Sequence, residues 1–219
     1  LANHFLNQKQ TVAITYRSER PEIKDLKDRG AQVFYADFST DEGIYEASQT
    51  LKHGLPKLKS LVHNASTWSL DEESVNQLDI LALMMRVHVG APMAISEALV
   101  PALKRSDIPS IINISDHVAI RGSDRHMAYA ASKSALINLS KSQAKKYAPE
   151  IRVNALCPAL LEFRDEDNQD YRNKASSKNP LRLVPGFAVA ISAICFLQEN
   201  PYITGITLPL DGGRPLWMP

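Results

Sequence analysis

Ile111-Ile112-Asn113-Ile114-Ser115-Asp116 and, thirteen residues after that acid, Tyr129-Ala130-Ala131-Ser132-Lys133 decide how this chain folds. The apolar run Ile111 to Ile114 reads as a strand buried on both faces. It ends in Ser115-Asp116, polar groups placed where a parallel strand delivers its side chains to a site. A loop containing Arg121-Gly122-Ser123 leads into a helix rich in small residues, Ala128 to Lys146. Tyr129 and Lys133 lie four residues apart, so they share one helix face. An ammonium near a phenol favours the phenolate, which would make Tyr129 a proton carrier near neutral pH. Alone, the pair would be an ordinary surface Tyr and Lys; the strand, its polar end and the loop turn it into a candidate site.

Outward from that centre, strands and helices alternate. Leu1, Ala2, Phe5 and Leu6 have helical spacing, and Val12 to Tyr16 reads as a strand ending at Arg17-Ser18. Pro21 to Arg29 is helical and closes at Gly30. Ala31 to Ala36 is the next strand, followed by Asp37-Phe38-Ser39-Thr40 and a helix over Asp41 to Lys52. Leu58 to His63 is a strand leading into Asn64-Ala65-Ser66. Ser74 to Lys104 holds two helical stretches joined near Val87 to Pro92. Ile151 to Leu156 is a strand followed by Cys157-Pro158-Ala159. Glu162 to Pro185 is polar and aperiodic, the pattern of a mobile loop over a substrate. Phe187 to Leu197 is an apolar helix, and Asp211-Gly212-Gly213 closes a last short strand. This alternation predicts one α/β domain with a parallel sheet.

The 219 residues carry 25 Lys and Arg against 24 Asp and Glu, so no bulk field attracts nucleic acid or an anionic membrane. Cys157 and Cys195 sit in apolar runs and read as buried, reduced thiols, which suits a cytoplasmic protein. The longest helix-like apolar run, Phe187 to Leu197, is too short to span a bilayer, and no signal peptide is visible. No cysteine or histidine spacing suits zinc, so no metal is expected. No Gly-x-Ser-x-Gly elbow is present.

The arrangement resembles the short-chain dehydrogenase/reductase family, whose signature is Tyr-x-x-x-Lys preceded by a Ser at a strand end. Asp116 stands where that Ser falls. Ser66 replaces the glycine of the family's Asn-Asn-Ala-Gly, of which Asn64 and Ala65 match. Both departures resemble the family's pteridine reductases, most closely the bacterial enzymes that reduce dihydromonapterin. His88 falls where the family has an Asn that holds a water in its proton relay. Pro158 matches a Pro-Gly pair lying against the nicotinamide, and Ala159 does not.

The resemblance implies a Rossmann-like doubly wound parallel sheet in the order 3-2-1-4-5-6-7. The chain opens on a helix feeding a strand, and none of its nine glycines forms a phosphate-binding turn. Strand 1 and that turn are therefore expected to be missing from an N-terminally truncated chain, one too weakened to bind NADPH tightly. The implied reaction is NADPH-dependent reduction of a dihydropteridine, dihydromonapterin or dihydrofolate, to its tetrahydro form. Tyr129 would donate the proton, Lys133 would lower its pKa and hold the nicotinamide ribose, and Asp116 would orient Tyr129 or bond the pterin. Arg17 and Ser18 would take the 2′-phosphate of NADPH, although a solvated turn arginine is the plain alternative. Asp37 and Phe38 would meet the adenine, while Asp37 or Ser39 could equally cap the following helix. Asn64, Ala65, Ser115 and Pro158 complete the implied cofactor surface. His63 reads as structural. Ala82, Met85, Val89 and Met93 read as core and as the surface of a homo-oligomer, dimer or tetramer. Two other readings stay open: a reductase of a carbonyl such as a 3-oxoacyl thioester, and a non-catalytic remnant or interaction subunit.

Overall fold

The computed structural model describes residues 1–68 and 76–216. Its strands run parallel in two sheets. In one, β1 (Ala13–Tyr16) pairs with β2 (Gln32–Tyr35), with Ala13 opposite Gln32. In the other, β3 (Ser60–His63), β4 (Ser110–Ile114), β5 (Arg152–Pro158) and β6 (Thr207–Leu210) lie in sequence order. Ile111 of β4 stands between Leu61 of β3 and Val153 of β5. Among the described residues no strand joins β1 to β3. The two sheets match the flanks of the expected order.

Parallel pairing forces each connection to cross over, and helices do this. After α1 (Ala2–Asn7), α2 (Pro21–Asp28) links β1 to β2. Pro21 pre-sets its first turn, and Gly30 ends it at φ +95°. Next, α3 (Asp41–Gly54) starts at Thr40, whose Oγ1 accepts from the Gly43 N–H. Thr40, not Asp37 or Ser39, is thus the cap. Between β3 and β4 run α4 (Gln77–Met85), a wide π-helical turn (Arg86–Gly90) and α5 (Ala91–Leu103). The sequence expectation for this region began at Ser74, outside the described residues. The short α6 (Val118–Arg121) and long α7 (Met127–Tyr147) lead to β5; α8 (Gln169–Ser176) and α9 (Ala188–Glu199) lead to β6.

The core lies between the four-stranded sheet and its helices. Ile111, Ile112, Val153, Ala155 and Leu156 are wholly buried. Phe38, Ile44 and Leu51 cluster with Val87, Ile95 and Leu99, and both Ala13 of β1 and Leu61 of β3 pack on that cluster. The two sheets therefore share one apolar layer. Buried polar groups tie the strands down. Asn113 donates to Ser140 Oγ, and Asn154 donates to the Ile203 carbonyl. Arg152 donates to the Leu197 and Gln198 carbonyls at the C-terminus of α9, where a cation is favoured.

Four expectations change. Gln77–Leu103 is a continuous helical stretch of 27 residues, apolar and long enough to cross a bilayer by length and composition. It far exceeds the run expected to be longest, because Arg86 and His88 break the apolar pattern but not the helix. Ile80, Met84, Ile95, Leu99 and Leu103 of this stretch are buried, so it is a core helix. Ala82 and Met93 are exposed and Met85 and Val89 half-buried, so that stripe faces outward. The polar stretch 162–185 contains α8, which the Asn168 side chain caps by accepting from the Tyr171 N–H. Cys157 is buried as expected, but Cys195 is only partly so.

Candidate active site

Parallel strands all point their C-termini one way, and the ends of β4 and β5 meet the first turns of α7 there. The ends are stitched together: the Ser115 N–H donates to the Leu156 carbonyl and the His117 N–H to the Pro158 carbonyl. On α7 the four-residue spacing puts Tyr129 and Lys133 on the face turned to β4. Tyr129 donates its phenolic hydrogen to Asp116 Oδ2 at 3.0 Å. Lys133 is 3% exposed, donates to the Ile114 carbonyl at 3.0 Å and lies 5.6 Å from the Tyr129 ring centroid. The strand end, the tyrosine and the lysine thus converge as the sequence spacing implied.

The charges differ from the expectation. Burial pushes the Asp116 carboxyl up, but the His117 side chain, the Val118 N–H and the Tyr129 hydroxyl outweigh it and hold the group below its ordinary value. His117 Nδ1 and the Val118 N–H both lie 2.9 Å from Oδ1. Tyr129 moves the other way: burial, the Asp116 charge and the Asp116 hydrogen bond raise its pKa, opposed by the nearby Ser66 hydroxyl. The Lys133 ammonium does not outweigh these causes. Burial pushes its own pKa down to about 8, with Asp116 and Cys157 countering. The resting pair is an ionised Asp116 beside a protonated Tyr129, and the proton sits on the phenol.

Two histidines have depressed pKa values, and one of them, His88, lies against Tyr129. His63 Nε2 meets Ser96 Oγ at 2.9 Å and burial lowers its pKa to about 3, in keeping with a structural role. His88 is 1% exposed and bonded at both ring nitrogens. The spacing of the signature gave no role to Ser66 or Ser132, both near Tyr129, or to Trp68. Ser66 Oγ is 3.0 Å from His88 Nε2, and Ser132 donates to the Tyr129 carbonyl. Trp68 is 57% exposed and meets His126 edge-on at 5.6 Å between centroids. An indole two residues past Ser66 was visible as a flat apolar group beside the site.

The expected cofactor surface divides. Asn64 and Ala65 are exposed at the end of β3, and Pro158 is half-buried at the end of β5. Ser115 is buried and spends its hydroxyl on the Lys133 carbonyl at 2.9 Å, so its side chain braces α7. Phe38 belongs to the core cluster, which leaves its backbone alone for a ligand. Asp37 Oδ1 accepts from both the N–H and the hydroxyl of Ser39, and its pKa is lowered first by that hydroxyl. Arg17 and Ser18 are exposed at the end of β1, with Arg17 close enough to help lower Asp37.

A parallel sheet whose strand ends carry an acid–tyrosine–lysine constellation defines a class of nicotinamide-dependent oxidoreductase. Residues 1–214 match the family model described as enoyl-(acyl carrier protein) reductase, and the chain belongs to this short-chain dehydrogenase/reductase family. More particularly, it is 44% identical over 218 residues to the dihydromonapterin reductase of Enterobacter sp. (strain 638), covering 99% of this chain and 91% of that one. Two solved structures share the fold. The alternative dihydrofolate reductase 1 FolM of Brucella suis, in complex with NADP, superposes with a TM-score of 0.82 at 26% identity, covering 99% of this chain and 89% of that one. FolM from Brucella canis gives 0.87 at 24% identity, covering 100% and 89%.

Proposed function

We propose that this chain reduces a dihydropteridine, dihydromonapterin or dihydrofolate, to its tetrahydro form with NADPH. The observation that carries the reading is the ionised Asp116 holding the Tyr129 phenol where the wider family has a neutral hydroxyl. A pteridine offers donors and acceptors side by side on one edge, which suits a carboxylate. The 44% identity to a dihydromonapterin reductase supports the same substrate class, and the exposed Trp68 gives a flat heterocycle a face to lie on.

The residues suit the dinucleotide. An ammonium has three hydrogens, and Lys133 uses one on Ile114, leaving donors for the nicotinamide ribose. Arg17 and Ser18, both exposed at the end of β1, suit a 2′-phosphate through charge-assisted hydrogen bonds. When bound, NADPH supplies a hydride to the C=N bond of the pteridine. The ring nitrogen becomes strongly basic at that moment. Tyr129, too weak an acid to ionise alone, then gives it the phenolic proton. Asp116 keeps the phenol oriented and stays ionised throughout. Outward-facing Leu78, Met93 and Met127 fit a homo-oligomer, and the reading places the chain in the cytoplasm as a single reductase domain without metal.

The test is NADPH oxidation with dihydromonapterin, dihydrofolate and a 3-oxoacyl thioester. Turnover of a dihydropteridine is expected; turnover of the thioester alone would replace this reading by carbonyl reduction. Asp116→Ser keeps a hydroxyl and removes the carboxylate. It should lower kcat/KM for the pteridine by about tenfold or more while NADPH affinity holds within about twofold.

A further inference from the structure

His88 sits behind Tyr129, and its two ring nitrogens can be told apart. The Thr67 N–H, which can only donate, points at Nε2 from 3.3 Å. Nε2 is therefore the bare nitrogen, and the hydrogen is on Nδ1. Nδ1–H donates to Ser132 Oγ at 2.8 Å, and the Ser132 hydroxyl donates onward to the Tyr129 carbonyl at 2.7 Å. On the far side the Ser66 hydroxyl lies 3.0 Å from Nε2. The imidazole meets the Tyr129 ring edge-on, with centroids 5.4 Å apart. Burial, with the Lys133 charge adding, holds its pKa down at about 3, so the ring is neutral at working pH. The π-helical turn Arg86–Gly90 carries this residue, a widening of the helix that recurs at functional sites.

We propose that His88 is a positioning residue for Tyr129. Through Ser132 it fixes the tyrosine's backbone, and through Nε2 it holds the Ser66 hydroxyl beside the phenol oxygen. The proposal rests on Tyr129 as proton donor, not on the substrate being a pteridine. When the proton leaves Tyr129 for the substrate nitrogen, a phenolate remains next to the Asp116 carboxylate. Two adjacent anions repel, and an ionised carboxylate has no hydrogen to offer. Ser66 has one. Its O–H turns from His88 Nε2 to the phenolate oxygen, no covalent bond breaking, while the Thr67 N–H keeps Nε2 partnered. A charge-assisted donor aimed where charge develops stabilises the step. Water later returns a proton to the phenolate.

The experiment compares Ser66→Ala, His88→Phe, His88→Gln and the Ser66→Ala/His88→Phe double variant in the full chain. Steady-state kinetics, the solvent deuterium isotope effect on kcat, NADPH affinity by fluorescence and thermal melts are read for each. Ser66→Ala is expected to lower kcat about tenfold or more, enlarge the isotope effect, and leave NADPH affinity within about twofold. His88→Phe should match it, and the double variant should fall no further, because the two residues act as one unit. Glutamine carries both a donor and an acceptor, so His88→Gln should recover part of the loss. Wild-type kcat in Ser66→Ala overturns the proposal, as does a double variant whose loss is the product of the single losses. Should His88→Phe fail to melt cooperatively, Ser66→Ala decides alone, since that side chain is exposed. A dead Tyr129→Phe beside an unaffected Ser66→Ala rejects the positioning role only. A fully active Tyr129→Phe rejects the proton-donor reading and this proposal with it.

Discussion

The four-stranded sheet and the two-stranded one are built from similar residues to different standards of burial. In β4 and β5, Ser110 to Asn113 and Arg152 to Cys157 are all buried. In β1 and β2 no residue is, and Thr15, Gln32 and Tyr35 are exposed. The candidate proton-transfer residues stand at the ends of the first sheet, Asp116 just past β4 and Tyr129 and Lys133 on α7, and already hold their partners. The candidate phosphate-binding residues stand on the second, where Arg17 and Ser18 are exposed. The chemistry is thus pre-organised by packing, as a step that depends on sub-ångström placement needs. The candidate adenosine end is a polar surface whose order a bound ligand can supply.

If burial is the real difference, equivalent deletions should cost unequal amounts. Leu156 on β5 is wholly buried and packs with Ile112, Ile194 and Leu197. Leu156→Ala should cost about 3–5 kcal/mol. Ile14 on β1 is half-buried, and Ile14→Ala should cost about 1–2 kcal/mol. Chemical denaturation of both variants measures this. Equal losses would show that β1 is held as firmly as β5, and the contrast would fail.

Tyr129→Phe tests the functional side of the same contrast. It removes one hydroxyl from the buried half and leaves the ring packed. Turnover should fall about 10²-fold or more, the usual scale of a lost general acid, with little change in melting temperature. Near wild-type turnover would take the phenol out of the reaction.

The sequence displayed these two halves unevenly. Period and turn chemistry sufficed for the strands, because parallel strands read as short apolar runs bounded by turns. The helical spacing of Tyr129 and Lys133, together with the strand end at Asp116, was enough to bring the three together. What could not be read was the sign of the charges. A spacing rule places Lys133 near Tyr129 but says nothing of the Ile114 carbonyl that takes its hydrogen or of the burial that shifts both groups. Ser115 and Phe38 show the same limit: position at a strand end does not tell whether a side chain turns to the ligand or into the core. Helix α8 was illegible for a different reason. Its polar residues carry no apolar period, and only the Asn168 cap marks its start.

Two histidines with depressed pKa values, His88 buried and His63 half-buried, make the four-stranded half sensitive to acid. His63 and His88 have folded pKa values of about 3 against an ordinary 6.5. Below 6.5 the unfolded chain takes up protons that the folded chain refuses until near 3. Stability is therefore complete above about pH 6.5 and declines as pH falls. At pH 5 each ring should contribute a loss of about 2 kcal/mol. Melts across this range should show the decline, and His88→Phe should remove about half of it, the His63 share remaining. A profile unchanged by that substitution would mean that His88 does not keep its low pKa in solution.

The smallest effect is expected in the exposed half. At the end of β1, Arg17 is exposed and has no ion pair among the described residues, although its charge reaches Asp37. An exposed guanidinium next to Ser18 matches a phosphate monoester, which two or more N–H groups can hold at once. Such a bond to an ionised group contributes about 1.5–3 kcal/mol when desolvated, and less on an open surface where salt screens it. Arg17→Ala should therefore weaken NADPH by about tenfold, equivalent to about 1.4 kcal/mol, and leave NADH within about twofold. The loss should shrink as ionic strength rises. Fluorescence titrations of both dinucleotides measure it. Equal losses for NADPH and NADH would show that Arg17 does not read the 2′-phosphate, and the exposed half would then have no assigned part in choosing the cofactor.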